Sequence, residues 1–210
     1  MIRILIGDDH AIVRAGLKQI VSDEPDMVVA GEADSGSMVL DMVSRAEWDI
    51  VLLDIKMPGR GGLDVLKQLH DERPKLPVLI LTMYPEEQFA VRCLKAGASG
   101  YLTKESAPDE LVAAIRKVMD GGIYVSRSFA EKLAFGLQTD SEQLPHESLS
   151  DREHQVMLLM ASGKTVSQIA EQLSLSPKTI HTYRSRILEK MRMKTNAEIM
   201  HYAIKHGLVE

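Results

Sequence analysis

Apolar and polar positions follow two different rhythms along this chain. In its first part, strand-sized apolar runs at residues 2–6, 27–30, 50–53, 78–81 and 100–102 are separated by segments of helical periodicity at residues 11–21, 37–45, 63–70, 86–96 and 108–119. Runs that are apolar at every position, rather than at every second one, predict strands buried on both faces. The alternation predicts an α/β unit over residues 1–122, a doubly wound (βα)5 parallel sheet whose last helix closes at Gly121-Gly122.

Beyond it the pattern weakens. Residues 123–147 read as a partly helical linker: SRSFAEKLAFGL continues in helical register, whereas LQTDSEQLPHES is polar, carries Pro145 and lacks periodicity. Residues 148–210 predict an all-α domain of four helices. Ser150 and Glu153 make a capping box before the first, which ends at Gly163, and the second runs over residues 165–173. Ser174-Leu175-Ser176 breaks the chain before Pro177 opens a long basic helix, PKTIHTYRSRILEKMRM; Thr195-Asn196 opens the fourth. A short helix, a tight break and a longer basic helix make a helix-turn-helix pattern. In the basic helix, Ile180, Ile187, Leu188 and Met191 share the inward face; Lys178, His181, Thr182 and Ser185 lie opposite, with Arg184, Arg186 and Lys190 on the flanks. These are side chains of the kinds that contact phosphates and base edges. Met193, Ile199, Met200 and Ile204 are expected to be core, with a self-association face as the alternative.

Composition sharpens the division into two domains. The net charge of −5 combines residues 1–147, with 16 Lys plus Arg against 24 Asp plus Glu, and residues 148–210, with 9 against 6. An acidic body thus carries a basic tail, which favours a polyanionic partner for the tail. No run reaches the roughly 18–20 apolar residues of a membrane span, and MIRILIGDD lacks the n-region, h-region and cleavage site of a signal peptide. The expected location is the cytoplasm, with no membrane partner. Cys93, the single cysteine, excludes an intramolecular disulfide and is expected to pack within a helix.

Candidate chemistry begins at IVLLDIKMPG, where a core-type strand stops at the carboxylate of Asp54. Open parallel sheets build their sites outside the carboxyl ends of the strands. Asp8 and Asp9 follow the first strand, Asp54 the third, Thr82 closes the fourth, and Lys104 stands two residues past the fifth. With strand order 2-1-3-4-5, all five side chains converge on one rim. Three clustered carboxylates either raise a pKa or hold a hard cation, and Mg²⁺ needs few carboxylates when a phosphate completes its shell. An Asp carboxylate can attack a phosphoryl donor to give an aspartyl phosphate, with the metal, the Lys104 ammonium and the Thr82 hydroxyl meeting the added charge.

Asp8-Asp9, Asp54 followed by MPG at 57–59, Thr82, and Lys104 in GYLTK resemble the receiver domain of two-component response regulators. LSDRE, GKTVSQIAEQLSLSPKTI and ILEKMRMKT resemble the LuxR-type helix-turn-helix domain of the NarL/FixJ class. The first resemblance implies a flavodoxin-like fold, Asp54 as phosphoacceptor, and Mg²⁺ held by Asp8, Asp9, Asp54 and the backbone carbonyl of Lys56. Thr82 and Tyr101 match the pair that rearranges on phosphorylation, the hydroxyl drawn toward the phosphoryl group and the ring turning inward. Lys56 and Tyr84 fall where phosphoryl lifetime is tuned, and Gly7 stands where such proteins more often carry an apolar residue. The second resemblance implies a recognition helix from Pro177 to about Met191, with His181, Thr182 and Ser185 facing the groove and Lys178, Arg184 and Lys190 on phosphates.

Together they imply a transcription regulator switched by a sensor histidine kinase. It would bind double-stranded promoter half-sites as a homodimer, with RNA polymerase as a further partner. Apart from autodephosphorylation it is not expected to be an enzyme. Against a Mg²⁺-dependent phosphatase or hydrolase stand the absence of a second catalytic acid placed to turn over substrate and the appended DNA-binding pattern, and an interaction module that is never phosphorylated need not keep all five rim residues.

Overall fold

The computed structural model describes residues 1–138 and 144–209. The chain forms two compact units, Met1–Lys132 and Leu133–Glu210. In the first, strands β1 (Ile2–Gly7), β2 (Met27–Ala33), β3 (Ile50–Leu53), β4 (Val78–Thr82) and β5 (Gly100–Thr103) pair in parallel in the order 2-1-3-4-5. Helices α1 (Ala11–Ser22), α2 (Gly36–Arg45), α3 (Gly62–Glu72), α4 (Glu86–Lys95) and α5 (Ala107–Met119) connect and follow them. Along each inner strand the side chains alternate between two buried faces. Ile4, Ile6, Ile50, Leu52, Leu79 and Leu81 pack with Leu17 and Val21 of α1 and with Leu111 and Ile115 of α5. Their neighbours Leu5, Val51, Leu53 and Ile80 point the other way and are equally buried. Burial on both sides is what the uninterrupted apolar runs required.

The edges depart from the sequence reading. β2 runs three residues beyond the apolar run, because an edge strand needs only part of its surface covered and tolerates the Gly31-Glu32 step. At the opposite edge the chain returns after α5. Tyr124 bridges Gly100 in parallel, the Tyr101 amide donates to its carbonyl at 2.8 Å, and its own amide donates to Ser99 at 3.1 Å. Helix α6 (Arg127–Gln138) follows, with Phe129 buried. Of the expected linker at 123–147, the first ten residues fall within the sheet unit, where Tyr124 pairs with the β5 edge. Part of the polar stretch placed in that linker, residues 139–143, lies outside the described residues.

The second unit opens with a 3-10 turn (Pro145–Ser148), followed by α7 (Asp151–Ala161), α8 (Val166–Leu173), α9 (Pro177–Lys190) and α10 (Asn196–Lys205). The capping box forms as read: the Glu153 amide donates to Ser150 Oγ, and the Ser150 amide to Glu153 Oε2 at 2.8 Å. Thr165 and Gln168 repeat the device at α8. Helix α7 is the hub, buried from Glu153 to Ala161, and packs against α9 and α10. The basic helix ends at Lys190, short of the predicted stretch, because Arg192 takes a left-handed φ of 55°. Ile180, Ile187 and Met191 are buried as expected. Of the four residues assigned to the core, Ile199 is buried, but Met200 and Ile204 are 36% and 53% exposed, since α10 turns only one face to α7.

Ser174, in the break between α8 and α9, is also left-handed, with φ 54°. A side chain there strains the backbone and glycine does not, so Ser174→Gly is expected to stabilise the helical unit by about 0.5–1 kcal/mol in urea unfolding of the full chain.

Candidate functional site

The parallel strands deliver their carboxyl ends to one rim, and the loops leaving them set the acidic site. Asp8 is 2% exposed, and its carbonyl accepts from Arg14 Nη1 at 2.7 Å, which ties the end of β1 to α1. Asp54, also 2% exposed, directly follows β3, and its amide donates to the Gly7 carbonyl at 2.8 Å. Gly7 leaves room for α2, because a Cβ there would lie 2.6 Å from Val39 Cγ2. The loop after Asp54 folds back so tightly that a Cβ on Gly62 would lie 2.0 Å from the Asp54 carbonyl oxygen. Only glycine permits that approach.

Lys104 Nζ reaches in from the end of β5 and lies 2.6 Å from both Asp8 Oδ2 and Asp54 Oδ2, with all three side chains 6% exposed or less. The Lys56 amide donates to Asp54 Oδ1 at 3.0 Å. Desolvation dominates at Asp54 and pushes its carboxyl above the usual carboxylate range, against the pull of Lys104. Burial works against the Lys104 ammonium too, but the two carboxylates outweigh it and raise its pKa. Thr82 is fully buried at the end of β4, and its hydroxyl has no hydrogen-bond partner among the described residues. Leaving a buried hydroxyl unpaired is costly. Tyr101 is fully buried, ring inward, with its hydroxyl donating to the Tyr84 carbonyl at 2.8 Å.

Asp9 is the more open of the two β1 carboxylates, with a side chain 32% exposed. His10, which the sequence reading passed over, joins the group: Nδ1 lies 2.8 Å from Asp9 Oδ1 and 3.2 Å from Asp8 Oδ1. Its adjacency to Asp8-Asp9 was the available signal. One ligand atom from each of Asp8, Asp9, His10 and Asp54 falls within 4.8 Å of the others. The carboxylate oxygens suit a hard cation, whereas the imidazole suits a softer one.

In the second unit, Ser176 Oγ accepts the Thr179 amide at 3.1 Å, and Pro177 fills the first turn of α9. Lys178, His181, Thr182 and Ser185 are exposed together on one face. The Thr182 and Ser185 hydroxyls donate to the carbonyls of Lys178 and His181, at 3.1 Å each, leaving lone pairs outward. Arg184 is half-buried, its Nε donating to Asn196 Oδ1 at 2.8 Å. Lys190, assigned to phosphate by the resemblance, has its ammonium 2.6 Å from Glu153 Oε2 on α7 while its side chain stays 41% exposed. Glu153 is 2% exposed; despite its burial, hydrogen bonds from Lys190 and Ser150 hold its carboxyl below the usual range. Lys190 therefore fastens the basic helix to the hub. Arg186, exposed on the flank, is the freer cation of the two.

A doubly wound sheet with this rim and a separate helix-turn-helix unit define a class. Residues 4–116 match the response regulator receiver domain, and residues 147–203 match the luxR family of bacterial regulatory proteins. The chain belongs to the response regulators, joins a receiver to a LuxR-type DNA-binding domain, and regulates transcription. It is 39% identical to the response regulator GacA of Pseudomonas aeruginosa over 211 residues, covering 100% of this chain and 99% of that one. It is 38% identical to the response regulator UvrY of Escherichia coli, covering 99% and 96%. Salmonella enterica RcsB, solved bound to promoter rprA with a beryllofluoride phosphomimetic, shares the fold at a TM-score of 0.66 and 24% identity, over 96% of this chain and 98% of that one. Among the described residues no helix is long and apolar enough to cross a membrane.

The raised Asp54 carboxyl has a thermodynamic consequence. The folded chain binds this proton more readily than the unfolded chain, so stability falls as pH rises from the ordinary carboxylate range through the folded pKa. Asp54→Asn is expected to melt higher than wild type at pH 7, with the difference shrinking as the pH is lowered into that range. Thermal melts of both proteins across pH check this.

Proposed function

We propose that Asp54 accepts a phosphoryl group from the phosphohistidine of a sensor kinase in the cytoplasm, and that this switches the helix-turn-helix unit on promoter DNA. The observation that carries the proposal is a single ammonium, Lys104, shared by two buried carboxylates beside the unpartnered Thr82 hydroxyl. An Asp54 carboxylate oxygen attacks phosphorus, the phosphorus–nitrogen bond of the donor breaks, and the imidazole leaves with that electron pair and takes up a proton. Lys104, already held by Asp8, follows the charge from the carboxylate to the phosphoryl oxygens, and Thr82 supplies a hydrogen bond to one of them. The oxygens of Asp8, Asp9 and Asp54, with the Lys56 carbonyl, suit Mg²⁺, which when bound neutralises part of the phosphoryl charge. Tyr101 stands inward against the Tyr84 carbonyl, and drawing Thr82 toward the phosphoryl group shifts the loop that carries that carbonyl. Water later hydrolyses the acyl phosphate, so the chain consumes its own modification and turns over no external substrate.

On the DNA side, His181, Thr182 and Ser185 face base edges, and Lys178, with the neighbouring arginines, meets phosphates. One small helical unit reads few base pairs, so two copies bind half-sites about one helical turn apart. The exposed Met200 and Ile204 on α10 offer a face for that pairing. RNA polymerase is the further partner through which bound protein acts on transcription.

Asp54→Asn is expected to lose both a mass adduct of about 80 Da, one phosphoryl group, and the stimulation of DNA binding by acetyl phosphate with Mg²⁺. Steady multiple turnover of an external phosphoester would instead make the crevice a hydrolase, and stimulation that is identical in mutant and wild type would sink the phosphoacceptor role. Mg²⁺ at ten times its dissociation constant is expected to stabilise the wild-type receiver by about 1.4 kcal/mol, an effect lost in Asp8→Ala. His181→Ala is expected to weaken a specific site by about 1–3 kcal/mol. Lys178→Ala should weaken all sequences alike and lower the slope of log affinity against log salt by about 1.

A further inference from the structure

The start of α6 is fastened to the start of α4, and α4 begins four residues after Thr82. Glu86, in the first turn of α4, takes the Ser126 amide on Oε1 at 2.9 Å and the Ser126 hydroxyl on Oε2. Ser126 is at the same time the cap of α6, its Oγ accepting the Phe129 amide at 3.2 Å. One carboxylate thus sits at the positive ends of two helix dipoles. Lys132, one turn further along α6, reaches Glu87 at 2.6 Å. That ion pair is exposed and contributes little alone, so the Ser126 bonds and the buried Phe129 do most of the fastening.

The segment between Thr82 and Glu86 is short and constrained. Its Tyr84 carbonyl is held by Tyr101 Oη at 2.8 Å, the Tyr84 ring packs on Phe89 of α4 with centroids 4.8 Å apart, and Pro85 has its φ fixed by its own ring. A displacement of Thr82 has little slack to dissipate in before it reaches Glu86. The same Glu86 holds the cap of the helix that leads out of the receiver toward the DNA-binding unit.

We infer that the Glu86–Ser126 clamp, steadied by Glu87–Lys132, is the positioning device that passes the state of the phosphoacceptor site to α6 and so to DNA binding. This rests on the reading of Asp54 as phosphoacceptor. Glu86 and Ser126 touch neither the phosphoryl group nor DNA; they act by setting where α6 begins. Phosphorylation draws Thr82 inward, the β4–α4 loop moves with it, and the clamp carries that movement into the α6 cap.

The test uses the full chain, acetyl phosphate with Mg²⁺ as phosphodonor, and a double-stranded fragment selected by the wild-type protein from a random library. Wild type is expected to show the mass adduct, altered hydrogen exchange at the amides of residues 127–132, and tighter DNA binding. Glu86→Ala and Ser126→Ala are expected to take up the phosphoryl group as wild type does, while the ratio of DNA affinities with and without donor falls to within about twofold of unity. Ser126→Thr, which keeps the hydroxyl, should retain the ratio. Lys132→Glu should reduce it, and Glu87→Lys combined with Lys132→Glu should restore it. Adduct formation with an undiminished ratio in both alanine variants overturns the clamp and leaves Asp54 in its role. Absence of any adduct on wild type overturns both.

Discussion

One ammonium shared between two buried carboxylates is the interaction on which the receiver depends. Lys104 comes from the end of β5, Asp8 from β1 and Asp54 from β3, and the order 2-1-3-4-5 is what brings these ends side by side. Burying three charges is unfavourable unless they meet at short range, so the sheet must be in register for the trio to be tolerated. The trio nonetheless leaves one negative charge in excess, and desolvation shows this in the raised carboxyl of Asp54. The buried apolar strands below supply the rigidity that holds the trio in place.

The helix-turn-helix unit solves a related problem with the opposite outcome. Glu153 is also buried, and hydrogen bonds from Lys190 and Ser150 outweigh its desolvation and hold its carboxyl below the usual range. At Asp54 desolvation outweighs the charged partners; at Glu153 the hydrogen bonds outweigh desolvation. Glu153 thereby links the cap of α7 to the far end of α9, so the angle between the two helices depends on that charge.

Much of this was legible in the sequence because the strongest patterns have local causes. Uninterrupted apolar runs marked the inner strands, the Ser150–Glu153 spacing marked a cap, and the rim residues each followed a strand. What escaped depended on partners distant in sequence. Nothing local shows that Lys190 pairs with Glu153, which lies on another helix. The return of Tyr124 to the β5 edge is a backbone event that leaves no side-chain signature. Met200 and Ile204 look like core from periodicity, and only the packing of α10 on α7 shows which apolar face is left over. His10 was missed because a histidine after two aspartates reads as a loop until the loop is closed.

The close approach at Gly62 gives a residue without functional groups an unusual standing. In a genetic screen for loss of function, substitutions there are expected to score with those at Asp54, although the position offers no chemistry. Immunoblotting would separate the two classes, the first depleting the protein and the second leaving it abundant and deaf. A screen that scores signalling alone would therefore count a wall of the site as one of its working parts.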